Sequence, residues 1–266
     1  MIIVLILGIL LLAFFSYKVG ALTLGGAITA VLVATIVLYG LSLFGLLLLA
    51  AFFLSSTLIG RLTKAHYSQE ENSLVEKGSK REASQVLANG GWAAASAFLY
   101  GVSGQELWYW CYIATLAAAT SDTWASEIGR MSKRKPIHVF SLRELFPGQS
   151  GGITYIGTIG AFAGSMFIVS IAWLLQFTLE VPNLSISIIL VLILVGFLGN
   201  WVDTILGAWI QASYYCKKCG KETEKRIHCR ERPILIKGYS FVNNDIVNHS
   251  CTLSAIGFVW LFRLFY

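Results

Sequence analysis

Charge is what this sequence has least of. Asp, Glu, Lys and Arg make up 13% of its 266 residues, against roughly 25% in soluble domains, and the hydrophobic share is 56%. With a mean hydropathy of +0.69, no stretch is left over for an independent soluble domain, and the chain reads as an integral membrane protein. The opening apolar run has no basic residues ahead of it and no small-residue cleavage site. That pattern argues against a signal peptide and predicts a retained first span. No stripe of aromatics interleaved with Lys and Arg is present, so the formal net charge of +6 points to membrane topology and anionic lipid rather than to nucleic acid. Cysteine is scarce as well, and three of the five, Cys216, Cys219 and Cys229, share one polar loop. Such clustering suits a reduced compartment and metal binding better than disulfides.

What is abundant is long apolar runs. About 20 such residues cross the hydrocarbon core as a helix, which predicts an all-α, polytopic transmembrane helix bundle. About eight spans are expected, over 1–17, 20–40, 42–61, 83–101, 105–128, 153–178, 184–211 and 243–264. The first three run almost together, so seven is the alternative. Residues 1–62 form an N-terminal hairpin region of three spans, and residues 80–266 a core of five with a cysteine loop over 213–242. With both termini outside, nineteen of the twenty Lys and Arg residues face inward and only Arg263 does not. The positive-inside rule then places the loops in the cytoplasm, and the expected location is the plasma membrane.

Against this background a few polar clusters sit near the inner ends of the spans. Asp122 and Glu127 close an otherwise apolar run, flanked by Ser121 and Ser126. An ionisable group deep in a membrane helix costs about 2.5–3.5 kcal/mol and marks function by default; the alternative is a helix end where the charges reach the headgroups. At about 100° per residue, Glu127 lies about 140° round from Asp122, so the two could flank one ion. Arg81 precedes the fourth span, in which Gln85 and Asn89 share a face. The Gly90-Gly91 pair after them serves either helix packing or close approach of a ligand. The loop Pro147-Gly148-Gln149-Ser150-Gly151-Gly152 runs into a helix start. Its backbone N–H groups either cradle phosphate or make an ordinary turn, and no Gly-Lys-Ser/Thr follows to make it a Walker A loop. Asn200, Asp203, Thr204, Gly207 and Gln211 form a polar stripe on the seventh span. On the eighth, Asn244 and Asn248 are four apart, Asp245 is either a helix cap or a site residue, and His249 reads as a satisfied buried histidine.

Four acids near one membrane face, with a Gly-rich loop and basic residues beside them, describe a metal–nucleotide site. Mg²⁺ is typically held by one or two carboxylates plus substrate phosphates. Phosphoryl transfer needs little beyond positioning, the metal and cations that offset charge. The cysteine loop carries a separate pattern, Cys216-x2-Cys219-Gly220 and then His228-Cys229. It is either a zinc knuckle or a set of free thiols, and the adjacency of His228 and Cys229 leaves the fourth ligand open.

Taken in order, these motifs resemble the integral-membrane family once called domain of unknown function 92. That family contains eukaryotic transmembrane protein 19 and the plant phytyl-phosphate kinase of tocopherol synthesis. The resemblance rests on Gln85 to Gly90, Ser121 to Gly129, Pro147 to Gly152, Asp203-Thr204 with Gly207-Ala208, the cysteine loop, and Asn244 to Asn248. This chain has Gln149 where the family pattern has a small hydroxyl residue. The resemblance implies a kinase, using CTP, that acts on a membrane isoprenoid phosphate. Asp122, Glu127 and Asp203 are then the expected catalytic acids, and with Asp245 the expected Mg²⁺ ligands. Arg81, Gln85, Asn89, Ser121, Ser126, Arg143, Gly148, Ser150, Gly151, Gly152, Asn200, Asp245 and Asn248 are expected at the phosphates and substrate. A monophosphate acceptor needs no general base, whereas an alcohol acceptor would need one, for which Asp122 is the candidate. The rival readings are a transporter using the acids as an ion path and a scaffold whose zinc loop binds a partner.

Overall fold

A computed structural model describes residues 2–63 and 80–263 of the chain; the inner-loop cations Lys64 and Lys77 lie outside the described residues. Among these residues there are seven helices: α1 (Ile2–Lys18), α2 (Leu24–Thr63), α3 (Ala83–Ser103), α4 (Glu106–Gly129), α5 (Tyr155–Leu175), α6 (Ile186–Trp209) and α7 (Asn244–Arg263). Two small sheets decorate one end. β1 (Ile137–His138) pairs antiparallel with β2 (Gly152–Ile153), and β3 (Ser213–Cys216) lies between β4 (Lys221–Thr223) and β5 (Ile234–Lys237).

The expectation of eight spans is not supported. Three of the helices, α2, α5 and α6, are long and apolar enough to cross a membrane, with mean hydropathies of 2.5, 1.9 and 2.2. Helix α1 has only 17 residues, and α3, α4 and α7 carry small and polar side chains that dilute their apolar character. The runs 20–40 and 42–61 belong to one helical element that bends at Ser42, where φ is 49° and ψ −137°. The bend is a reversal. A Cβ placed on Gly45 would lie 2.6 Å from Val37 Cγ1 and 3.4 Å from its carbonyl, whereas residues eight apart in a straight helix are separated by about 12 Å. The first limb of α2 packs Gly40 onto Ala97 of α3, and the second brings Gly60 to Glu127 at the end of α4.

Helix α4 is the hub. Residues Cys111 to Ser121 are all buried, so the helix is enclosed on every side, as a helix without a solvent face must be. Its partners approach through small residues. On α5, a Cβ at Gly160 or Gly164 would sit 3.0 Å from the Trp124 carbonyl or 2.9 Å from that of Thr120. On α6, Gly196 and Gly199 meet Ala117 and Ala118 in the same way, at 2.7 and 2.6 Å. Such contacts bring backbones together where hydrophobic burial alone would not. Single polar links tie the layers: Tyr112 donates to the Gly45 carbonyl at 2.5 Å, Ser165 to Ile193 at 2.7 Å and Thr252 to Ala88 at 2.9 Å.

Helix ends are set by local chemistry. Gln85 accepts from the Glu82 amide at 2.9 Å in a capping box that opens α3, and Thr154 caps α5 by accepting from Gly157 at 3.1 Å. The starts of α3, α5 and α7 and the ends of α4 and α6 meet at one end of the bundle, around residues that line a single cavity.

Candidate functional site

That end encloses a cavity of about 750 Å³, within the roughly 300–1,000 Å³ range of small-molecule sites. Its walls come from the last turns of α2, the start of α3, the end of α4, the segment 132–154, the start of α5, the end of α6, Glu224 after β4, and Asn244 and Asn248 of α7.

Two carboxyl groups meet on one wall. Asp122 of α4 and Asp203 of α6 bring their carboxyl groups close enough to interact directly. With its carboxamide nitrogen turned inward, Asn248 donates to Asp203 Oδ2 at 3.0 Å and to the Asn244 carbonyl at 3.2 Å. Two carboxylates this close repel each other unless a proton or a cation lies between them. Glu224 bears on Asp203 electrostatically and adds a third carboxylate to the wall. Carboxylate oxygens are the donor type that Mg²⁺ takes, but among the described residues these three are not gathered within 4.8 Å of one another. Glu127 faces elsewhere: it accepts from Thr63 at 2.9 Å, on the side closed by Gly60 of α2. The two carboxylates of α4 thus line one cavity from different directions.

The Gly-rich loop packs on the end of α6, with Gly151 and Ser150 against Gly207 and Ala208, one helical turn from Asp203. Gly148 and Gly151 have φ of 87° and 85°, and a Cβ on Gly151 would lie 2.4 Å from Ala208 Cα. Only glycine satisfies both the dihedral and the approach of α6. Gln149 is structural. Its Oε1 accepts from the Phe146 amide at 2.9 Å and its Nε2 donates to Glu222 at 2.8 Å. Ser150 donates to Glu224, which also accepts from Gln211 at 3.0 Å. The loop is thereby pinned to the β3–β4 hairpin. Beneath it, Lys237 donates to the Gly207 carbonyl at 2.9 Å; burial pushes its ammonium below the usual lysine range, and Glu224 and Glu222 pull it back up. Arg81 enters between α2 and α3, its guanidinium 5.5 and 5.7 Å from the ring centroids of Phe52 and Phe53, a cation–π arrangement.

Of the residues singled out in the sequence, Arg81, Gln85, Asn89, Asp122, Ser126, Glu127, Gly148, Ser150, Gly151, Gly152, Asn200, Asp203 and Asn248 all line the cavity. Three do not line it. Ser121 is fully buried on the face of α4 packed against Gly164. Arg143 is exposed on the turn between β1 and β2, where its carbonyl accepts from His138 at 2.8 Å. Asp245 is buried at the start of α7 and is not among the residues lining the cavity, although it stands three residues from Asn248 on the helix. The cavity cations not anticipated are Arg61, Arg130 and Arg134, and the acid not anticipated is Glu224. Glu222 and Glu224 alternate within a basic loop, a period-two spacing that places both on one side of a strand; that was the signal available for them.

A family model described as Integral membrane protein DUF92 matches residues 7–256. Protein PGR of Arabidopsis thaliana is 28% identical over 95% of this chain and 94% of its own length. The uncharacterized membrane protein MJ0933 of Methanocaldococcus jannaschii is 30% identical over 76% of this chain and 80% of its own length. Protein VTE6, chloroplastic, also of Arabidopsis thaliana, is 24% identical over 86% of this chain and 62% of its own length. No solved structure matches the chain.

Proposed function

The chain belongs to the DUF92 family of integral membrane proteins, and from that premise we propose that it is a nucleotide-dependent kinase, using CTP, that converts a membrane isoprenoid monophosphate to its diphosphate. The observation that carries this reading is the approach of Asp122 to Asp203 beside Glu224, in a cavity that a Gly-rich loop also lines. The resemblance to the plant phytyl-phosphate kinase supplies the acceptor class.

Asp122 and Asp203, with Glu224 beside them, would hold Mg²⁺, which would offset the charge of the phosphates. Ser150 and the backbone of Gly148, Gly151 and Gly152 border the donor phosphates, while Arg61, Arg81 and Arg130 neutralise them. A terminal oxygen of the acceptor monophosphate attacks the γ-phosphorus, the bond to the β-phosphate oxygen breaks, and CDP leaves. The acceptor oxygen is already anionic near neutral pH, so no side chain must remove a proton. The prenyl chain lies along apolar helix faces with its head at the cavity.

In this reading both limbs of α2 cross the bilayer, residues 1–62 flank a catalytic core over 80–266, and the first region lends Gly60 and Arg61 to the cavity wall. The protein resides in the plasma membrane as a multi-pass protein with both termini outside and the cavity open to the cytoplasm, on the side of the basic loops.

The test is transfer of labelled γ-phosphate from CTP or ATP to a panel of prenyl alcohols and monophosphates, with Mg²⁺, by wild type and Asp122→Asn. A labelled prenyl diphosphate that disappears in the variant is expected. No transfer to any acceptor by folded protein would overturn the reading, and substrate flux into liposomes without nucleotide would replace it with transport.

A further inference from the structure

Outside the cavity, the β3–β4 hairpin and the turn that follows gather four side chains the proposed reaction does not use. One donor atom from each of Cys216, Cys219, His228 and Cys229 lies within 4.8 Å of the others. His228 Nδ1 is 3.6 Å from Cys219 Sγ and 3.4 Å from Cys229 Sγ. Around a tetrahedral zinc ion with ordinary Zn–S and Zn–N bond lengths, the sulfur-to-nitrogen edge is about 3.5 Å. The donors are already at ligand spacing.

The backbone explains how neighbours in sequence can both point inward. Cys229 and Arg230 adopt φ of 52° and 65°, and His228 and Glu231 exchange two backbone hydrogen bonds of 3.0 Å. This tight turn brings the His228 ring and the Cys229 sulfur to one point. On the other half, Gly220 at φ 71° donates its amide to the Cys216 carbonyl at 2.8 Å, closing the Cys-x2-Cys-Gly turn. The sheet also needs a staple. Its strands have three or four residues, and Tyr215, Ile234, Leu235 and Ile236 are exposed, so it has little apolar core. A sheet this small is marginal by itself in water.

We propose that Cys216, Cys219, His228 and Cys229 form a closed, structural zinc site that holds the β3–β4 hairpin and thereby fixes Glu222 and Glu224 against the Gly-rich loop. Three thiolates and an imidazole in a tetrahedral array select zinc among the common divalent ions. Four protein ligands leave no open position, so the ion does not act on substrate. Both glutamates lie between the ligands Cys219 and His228 in the chain and meet Gln149 and Ser150 across the gap; the metal closes the loop that carries them.

The test is metal content, which does not depend on whether transfer activity is found. Full-length protein is purified in detergent without chelator, and zinc is measured by mass spectrometry. One zinc per chain is expected in wild type and in Cys111→Ala and Cys251→Ala, whose sulfurs are buried in α4 and α7. A drop of at least tenfold is expected in Cys216→Ala and Cys219→Ala. Exchange with Co²⁺ should give tetrahedral d–d bands and thiolate charge transfer. His228→Cys keeps a complete ligand set, so it should retain one ion and raise the charge-transfer intensity by about a third, from three thiolates to four. Monodisperse wild-type protein free of zinc, with all three loop thiols open to alkylation, would overturn the proposal. So would zinc retained by the Cys216→Ala, Cys219→Ala double variant.

Discussion

Glu224→Gln keeps the size of the side chain and removes its charge, at a residue that joins two walls of the cavity. Glu224 accepts from Ser150 and from Gln211 at 3.0 Å, and it bears on Asp203. Hydrogen bonds to an ionised group contribute about 1.5–3 kcal/mol. At 1.36 kcal/mol per factor of ten, loss of one such interaction lowers kcat/KM for phosphoryl transfer roughly 10- to 150-fold. Removing a carboxylate also weakens the hold on the metal, so the Mg²⁺ concentration for half-maximal rate should rise. Ser150→Ala removes a donor from the same group but leaves Gln211 in place, and a smaller loss is expected. A double-mutant cycle on these two positions should give a coupling energy of about 0.5–3 kcal/mol, the range for residues in direct contact. The assay is labelled phosphate transfer at several Mg²⁺ concentrations, with thermal unfolding in detergent as the folding control. Additive effects together with an unchanged Mg²⁺ midpoint would remove Glu224 from the site.

Three further predictions concern the fold. A Cβ at Gly164 would meet the Thr120 carbonyl at 2.9 Å, whereas one at Gly257 meets nothing within 4 Å; Gly164→Val should therefore lose about 1–3 kcal/mol by overpacking and Gly257→Ala should gain up to about 1 kcal/mol in helix propensity, read as opposite shifts in Tm. Ser42 holds φ 49° at the reversal of α2, a strained value for a residue with a side chain, so Ser42→Gly should stabilise by about 1 kcal/mol and Ser42→Pro, locked near φ −65°, should destabilise. Burial lowers the pKa of Lys237 from its ordinary 10.5, so between the folded and unfolded values the unfolded chain binds more protons. Unfolding free energy should then rise with pH through that window, and denaturant midpoints taken across alkaline pH should show a flatter rise in Lys237→Met.

The helical core was largely legible from hydropathy and caps. The runs 83–101, 105–128 and 184–211 correspond closely to α3, α4 and α6, because Gly104 and the polar ends of α4 and α6 are local stop signals. The break between 40 and 42 was visible too, but a sequence separator does not distinguish two independent spans from one element folded back at a single residue. Which acids share a cavity was less legible. Asp122 and Asp203 come together because both end helices that run in the same direction and pack through Ala117, Ala118, Gly196 and Gly199. Asp245 and Asn244 differ by one residue, yet Asn244 lines the cavity and Asp245 is buried, a difference set by the tertiary packing of α7. Glu224 was hidden for another reason. It sits among lysines in a polar loop, where solvated charge is the ordinary expectation, and its role depends on how a hairpin from after α6 meets a loop from before α5.

The enclosure of α4 bears on how the protein is made. Its buried stretch carries Thr115, Thr120 and Ser121, and Asp122 follows at once, a poor segment to release alone into lipid. Of the helices that pack on it, α2 and α3 precede it in the chain, while α5, α6 and α7 are synthesised later. The helix most in need of company thus emerges from the ribosome before most of its companions, so its insertion is tied to the arrival of the C-terminal half. Only the finished chain provides α4 with a solvent, and that solvent is protein.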